Sequence, residues 1–92
     1  MKKSVKLTIT GSVQSLFFRT FIKEQADIND VRGFLRKLED GRVEVFLEGN
    51  KADVNEVISV CKEGPKHSII RNVAEKEESF QDFKEFKILN FI

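Results

Sequence analysis

The residues best suited to chemistry lie in one short stretch, residues 11–19, which reads GSVQSLFFR. Arg19 stands just inside the start of a predicted helix, where a positive charge is unfavourable because the helix N-terminus is already partly positive. A loop that enters a helix also leaves backbone N–H groups without intrahelical partners, and such groups bind anions. If the N–H groups from Gln14 to Phe18 converge, a phosphate or carboxylate bound there would also accept the Arg19 guanidinium. The alternative is that Arg19 is a solvated surface residue that pairs with an acid such as Glu24.

The elements that must position this stretch follow from the spacing of apolar residues. Strand-like patterns are predicted over residues 3–10, 31–38, 42–48, 67–75 and 83–91. A first helix is predicted over residues 18–29, and a second begins at Asn50 as N-cap and ends before Gly64-Pro65. Asp40-Gly41 separates the second and third strands and is a strong hairpin signal.

This order predicts an α+β fold. The economical arrangement is ferredoxin-like, β-α-β-β-α-β with an extra C-terminal strand, in which two helices cover one face of an antiparallel sheet. The apolar phenylalanines are predicted to lie in the core. They are Phe17, Phe18, Phe21, Phe80, Phe83, Phe86 and Phe91.

Composition narrows the function classes. A chain of 92 residues has room for one domain, so we expect residues 1–92 to form a single domain and a monomer. A formal net charge of +1 provides no overall field for nucleic acid or an anionic membrane. The absence of an apolar run of about 20 residues argues against a membrane span. The single cysteine, Cys61, suits a reducing compartment and predicts a cytoplasmic location. Its place on the apolar face of the second predicted helix predicts a buried thiol. His67 stands apart from other ligand types, so no metal site is predicted.

The chain resembles the acylphosphatase family over nearly its whole length. The family signature G-x-V-Q-G-V-x-F-R is similar to residues 11–19 and matches at Gly11, Val13, Gln14, Phe18 and Arg19. A second family block, Gly-aromatic-small-x-Asn followed by a turn glycine and a valine, is similar to residues 33–43.

The resemblance implies hydrolysis of a small acyl phosphate to a carboxylate and inorganic phosphate, without metal, cofactor or covalent intermediate. It implies that Arg19 neutralises charge on the phosphoryl group and that Lys37 occupies the second catalytic position. The phosphate-binding residues that it implies are Gln14, Ser15, Leu16, Phe17, Phe18 and Arg19.

Two positions depart from the family pattern. Lys37 stands where the family has the asparagine that orients the attacking water, and an ammonium group only donates hydrogen bonds whereas an amide also accepts them. We therefore expect tighter anion binding and slower turnover. Ser15 replaces the signature glycine, which implies either backbone strain or an additional hydroxyl donor to the anion. Sequence alone does not place Asn29, Asn72 or Asn90 beside the loop as a substitute.

Three functions stay open on these grounds. The first is an acylphosphatase-type hydrolase, and the second is a non-catalytic module of the same fold that binds phosphate or another anion. The third is RNA binding, which a ferredoxin-like sheet supports when exposed aromatic side chains stack on bases. Phe46 is a candidate for stacking, but Glu44 and Glu48 flank it and would repel a polyanion, so nucleic acid is not expected as a partner.

Overall fold

The computed structural model describes residues 1–12, 16–66 and 68–89 of the chain. Their strands and helices are β1 (Lys2–Gly11), α1 (Leu16–Ile28), β2 (Arg32–Lys37), β3 (Val43–Asn50), α2 (Lys51–Glu63), β4 (Ile70–Glu77) and β5 (Phe86–Ile88). The predicted element order and the ferredoxin-like fold are confirmed. His67, at the start of the predicted fourth strand, lies outside the described residues.

The strands form one sheet in the order β4-β1-β3-β2-β5. The first four strands pair antiparallel, whereas β5 pairs with β2 in parallel. The prediction of a wholly antiparallel sheet is therefore wrong at this edge. The reason is that β4 finishes at the end of the sheet where β2 begins. The chain crosses the sheet along that end and enters β5 in the direction of β2.

The core lies between the sheet and the two helices. Alternate residues of the strands point into it, among them Val5, Leu7 and Ile9, all fully buried. The helices contribute Phe18, Ile22, Ala26, Val54, Val57, Ile58 and Cys61. This is the face on which the period-two pattern of β1 and the helical spacing of α1 and α2 converge. The predicted burial of Cys61 is confirmed.

The two helices begin close to the predicted residues, and the larger difference is at the start of α1. α1 starts at Leu16, two residues before the predicted Phe18. The prediction missed Leu16 and Phe17 because both side chains are exposed and do not follow the apolar spacing of the helix. α2 follows Asn50 at the N-cap position as predicted, although the Asn50 side chain makes no capping hydrogen bond. At its other end, the Gly64 N–H donates to Val60 O at 2.8 Å.

The face of the sheet away from the helices is partly covered by residues 78–85, which connect β4 to β5. Glu48 is 1% exposed and accepts hydrogen bonds from the backbone N–H of Gln81 at 2.7 Å and of Phe83 at 2.6 Å. The ring of Phe83 packs edge-on against those of Phe34 and Phe46, with centroids 5.7 and 5.3 Å away. Phe83 therefore belongs to this connection and not to the last strand. β5 begins at Phe86, three residues after the predicted start at residue 83.

The aromatic predictions are confirmed only in part. Phe18 and Phe86 are buried, and Phe21 packs against the core. Phe17 and Phe80 are 65% and 41% exposed, so their predicted burial is wrong, and Phe91 lies outside the described residues. Phe46 is only 5% exposed, which removes the exposed aromatic that base stacking on this sheet would need.

Candidate functional site

Where the loop after β1 leaves the sheet, the backbone at Gly11 packs closely against the backbone of Ile69. Gly11 has φ +150, and a Cβ atom there would collide with the carbonyl oxygen of Ile69. The same oxygen accepts a hydrogen bond from the Ser12 N–H at 2.7 Å. The glycine of the GSVQSLFFR stretch is therefore required by the close approach of the chain around Ile69. Sequence reasoning did not anticipate Ile69, since nothing local links residues 12 and 69.

Part of the predicted anion site falls outside the described residues. Gln14 and Ser15 belong to residues 13–15, so their phosphate contacts stay predictions. The described part of the site begins at Leu16, the first residue of α1.

The first turn of α1 brings buried and exposed residues together. Phe18 is fully buried, whereas Leu16 and Phe17 are 63% and 65% exposed. Arg19 is half-buried, and its Nε atom is shielded from solvent. Burial of Phe18 thus anchors the turn and holds the start of Arg19 against the protein body.

The charge at the start of α1 is unusual for a helix. The first turn of α2 carries Asp53, which is favourable beside the positive end of the helix dipole. The first turn of α1 has no acidic residue and contains Arg19 instead. The first turn of α1 therefore places a positively charged side chain near the positive end of the helix dipole, an arrangement that favours an anion.

Lys37 lies at the same end of the sheet as this helix start. Lys37 and Ile9 both pair with Val43, so the three residues form one row across β2, β3 and β1. Residues directly opposite in a sheet point to the same face, and Ile9 and Val43 are buried on the helix-covered face. Lys37 therefore projects toward that face, beside the end of β1 from which the loop departs.

The neighbouring arginines are already paired. Arg36 Nε lies 2.8 Å from Glu44 Oε1, and Arg42 Nε lies 2.7 Å from Asp40 Oδ2. The Arg42 backbone N–H also donates to Asp40, and this bond, with the Arg42 side chain, holds the pKa of Asp40 below its usual value. Over residues 1–12, 16–66 and 68–89, Lys37 has neither an ion pair nor a hydrogen bond from its side chain. Its charge is therefore available to an anion.

Comparison with known proteins decides the family. The family model for acylphosphatase matches residues 5–88. The chain belongs to the acylphosphatase family. It is 38% identical over 90 residues to an acylphosphatase of Syntrophus aciditrophicus, a match that covers 97% of this chain and 94% of the relative. An acylphosphatase of Rubrobacter xylanophilus is 41% identical over 76 residues, covering 83% and 69% of the two chains. The crystal structure of acylphosphatase from Bacillus subtilis matches with a TM-score of 0.90 at 26% identity, covering 98% of this chain and 100% of that one.

Acylphosphatases are hydrolases, so family membership and fold support an acylphosphatase-type function for the chain. Within the described ranges, no group of three or more His, Cys, Asp or Glu residues is placed to hold a metal ion. No helix in those ranges is long and apolar enough to cross a membrane.

None of the described asparagines named in the sequence analysis replaces the one missing from the family motif. Asn29 ends α1 at the far side of the molecule and donates to Gln25 O at 2.8 Å. Asn72 pairs with Thr10, which alternates with the buried Ile9, so Asn72 lies on the face away from the helices. Asn90 lies outside the described residues. The assignment of Lys37 to the second catalytic position of the motif therefore stays a prediction.

Proposed function

We propose that this protein hydrolyses acyl phosphates, with Arg19 and the backbone N–H groups at the start of α1 holding the phosphoryl group. The observation that carries the proposal is the presence of Arg19 in the first turn of α1, with Lys37 at the same end of the sheet, in a chain of the acylphosphatase family. The binding residues are those implied by the motif, residues 14–19. We propose that the chain acts as one domain and as a monomer in the cytoplasm, without a cofactor.

The chemistry needs little covalent participation from the protein. Water attacks phosphorus, the bond between phosphorus and the anhydride oxygen breaks, and that oxygen leaves as part of a carboxylate. Inorganic phosphate is the second product, and one proton is released to solvent. A carboxylate is a good leaving group, so positioning and stabilisation of the phosphoryl charge account for most of the catalysis. Arg19 supplies this stabilisation through two parallel hydrogen bonds to phosphoryl oxygens.

Lys37 limits the rate in this proposal. Two strand spacings, about 10 Å, separate its Cα atom from that of Ile9, and its long side chain reaches toward a ligand held at the start of α1. The ammonium group donates to a phosphoryl oxygen and has no lone pair with which to orient a water. The protein consequently binds phosphate well and turns over slowly.

The second candidate is a non-catalytic module that binds phosphate or a related anion. The observation that favours it is the exposed side chain of Lys37, which the resemblance aligns with a water-positioning amide. In this case the anion is held and no water is activated.

Hydrolysis of benzoyl phosphate by the purified chain tests the first proposal. We expect release of phosphate above the spontaneous rate, together with a higher Tm in millimolar inorganic phosphate because the folded state binds the anion. A rise in Tm without turnover supports the anion-binding module. The absence of both effects contradicts the two functions together.

A further inference from the structure

The side chain of Lys37 differs from those of the charged residues around it. It is exposed and has no ion pair or hydrogen bond to any residue in the described part of the chain. Arg36 and Arg42, by contrast, lie against the carboxylates of Glu44 and Asp40. A lysine that no carboxylate holds can act as a nucleophile once its ammonium group has lost a proton.

Two contacts fix the direction of α1 relative to β2. The Val31 N–H, just before β2, donates to Ala26 O at 2.8 Å. About one turn earlier in the helix, Lys23 Nζ donates to Phe86 O at 3.1 Å, and Phe86 pairs with Gly33 of β2. Moving back along α1 therefore corresponds to moving forward along β2, so the helix and the strand run antiparallel.

This packing brings Arg19 and Lys37 toward each other. From Ala26 back to Arg19 the helix advances about 10 Å, and from Val31 to Lys37 the strand advances about 20 Å. The difference along the strand is about 10 Å, which an arginine and a lysine side chain span across a small ligand. Lys37 also points toward the face of the sheet on which α1 packs. One acyl phosphate is therefore within reach of both side chains.

We propose that Lys37 is a site of self-acylation, at which its amine takes the acyl group from an acyl phosphate whose phosphoryl group Arg19 holds. This inference rests on the proposed function, because the acyl donor is the proposed substrate. The ammonium group first releases one proton to solvent, and the neutral nitrogen attacks the acyl carbon. A carbon–nitrogen bond forms, and the bond from the acyl carbon to the bridging oxygen breaks. Phosphate leaves with that oxygen and takes a second proton from the nitrogen, so Lys37 becomes an Nε-acyl-lysine.

The selectivity for Lys37 comes from holding the donor beside it. An amine and an acyl carbon kept within reach of each other react as if one were present at very high concentration, whereas other lysines meet the donor only from solution. The asparagine that the family motif has at this position could not react in this way, because resonance delocalises the lone pair of an amide nitrogen. The acylated side chain is neutral, so the modified protein should hold phosphate less tightly.

The test is incubation of the purified chain with acetyl phosphate, with mass spectrometry of its peptides to follow acetylation of each lysine over time. We expect Lys37 to be acetylated at least about tenfold faster than Lys84. Lys84 is the matched control within the same molecule, because it is exposed, pairs only with Asp82 at 3.1 Å and lies on the connection before β5. In concentrated urea the two lysines should react at the same rate, because the unfolded chain does not hold the donor.

Two further measurements ask whether the reaction depends on a bound phosphoryl group. Millimolar inorganic phosphate should lower the rate at Lys37 to that of Lys84 and leave Lys84 unaffected. Arg19→Ala should have the same effect, with circular dichroism as the check of folding.

The outcomes separate this inference from the proposed function. Acetylation of Lys37 no faster than that of Lys84 overturns self-acylation, even if the chain hydrolyses acyl phosphates. A preference for Lys37 that persists in urea, or that neither phosphate nor Arg19→Ala lowers, overturns it as well. Selective, phosphate-sensitive acetylation of Lys37 without catalytic turnover supports self-acylation and contradicts the hydrolase alone.

Discussion

Lys37, the last residue of β2, pairs with Val43, the first residue of β3, at the end of the sheet where β1 finishes and its loop begins. This pairing puts Lys37, which the family resemblance aligns with an asparagine, on the face covered by the helices. In the proposed function, the rate of hydrolysis depends on what that side chain does to a bound phosphate.

The substitution Lys37→Asn should raise kcat for benzoyl phosphate by at least about tenfold, because an amide orients a water that an ammonium group cannot, and such positioned groups contribute at least this much. The inhibition constant of inorganic phosphate should rise at the same time, because a positive charge is lost. The control is Lys84→Asn, in which an exposed lysine on the connection before β5 is replaced. An unchanged kcat in Lys37→Asn would show that Lys37 does not limit the reaction.

Arg19 should be required for its geometry as well as its charge. We expect Arg19→Ala to lower kcat/KM by about 10²-fold or more, in the range found for the loss of one transition-state donor. Arg19→Lys keeps the charge but loses the two-pronged hydrogen bond, so it should recover only part of this loss. Steady-state kinetics with both variants, with circular dichroism as a check of folding, measures the difference. Equal activity of Arg19→Lys and wild type would contradict the bidentate contact.

Glu48 should be a stability residue without a role in the reaction. Its carboxylate accepts two backbone N–H groups from the connection between β4 and β5, and it lies at the end of the sheet opposite Lys37. In Glu48→Gln an NH₂ group faces one of these donors, which should cost about 2 kcal/mol of unfolding free energy. Urea denaturation measures this loss, and kcat/KM well below the Tm should stay at the wild-type value. Glu56→Gln on the exposed side of α2 is the control, expected within about 0.5 kcal/mol of wild type.

Cys61 should make stability fall at alkaline pH. Burial raises the pKa of its thiol from 9.0 to about 12. The unfolded chain therefore loses this proton above pH 9 while the folded chain retains it, so folding is disfavoured as the pH rises. Between pH 8 and pH 10 the wild type should lose about 1 kcal/mol more unfolding free energy than Cys61→Ala. Urea titrations at the two pH values measure this difference, and parallel losses in the two proteins would show that the thiol is not the titrating group.

Short-range patterns carried much of the fold. Alternation in residues 3–10 and the Asp40-Gly41 turn depend on neighbours in the chain, and both elements form where they are predicted. Asp40 accepts a hydrogen bond from the Arg42 N–H two residues away, so this turn can be predicted from adjacent residues in the sequence. The matches at Gly11, Val13, Gln14, Phe18 and Arg19, together with the second block over residues 33–43, likewise led to the family.

Contacts between distant residues were beyond such patterns. The parallel pairing of β5 with β2 depends on where the connection crosses the sheet, and the exposure of Phe17 depends on the core being filled by Phe18. The hydrogen bond that supports the loop joins Ser12 to Ile69, which are 57 positions apart in the chain.

Periodicity and motif spacing were enough to determine the element order, the family and the residue types of the site, because these properties reside in neighbouring positions. Which side chains stay exposed at the start of α1, and toward which face of the sheet Lys37 points, were decided by tertiary packing. Burial is settled by competition among all the apolar groups for one core, and that competition involves the whole chain at once.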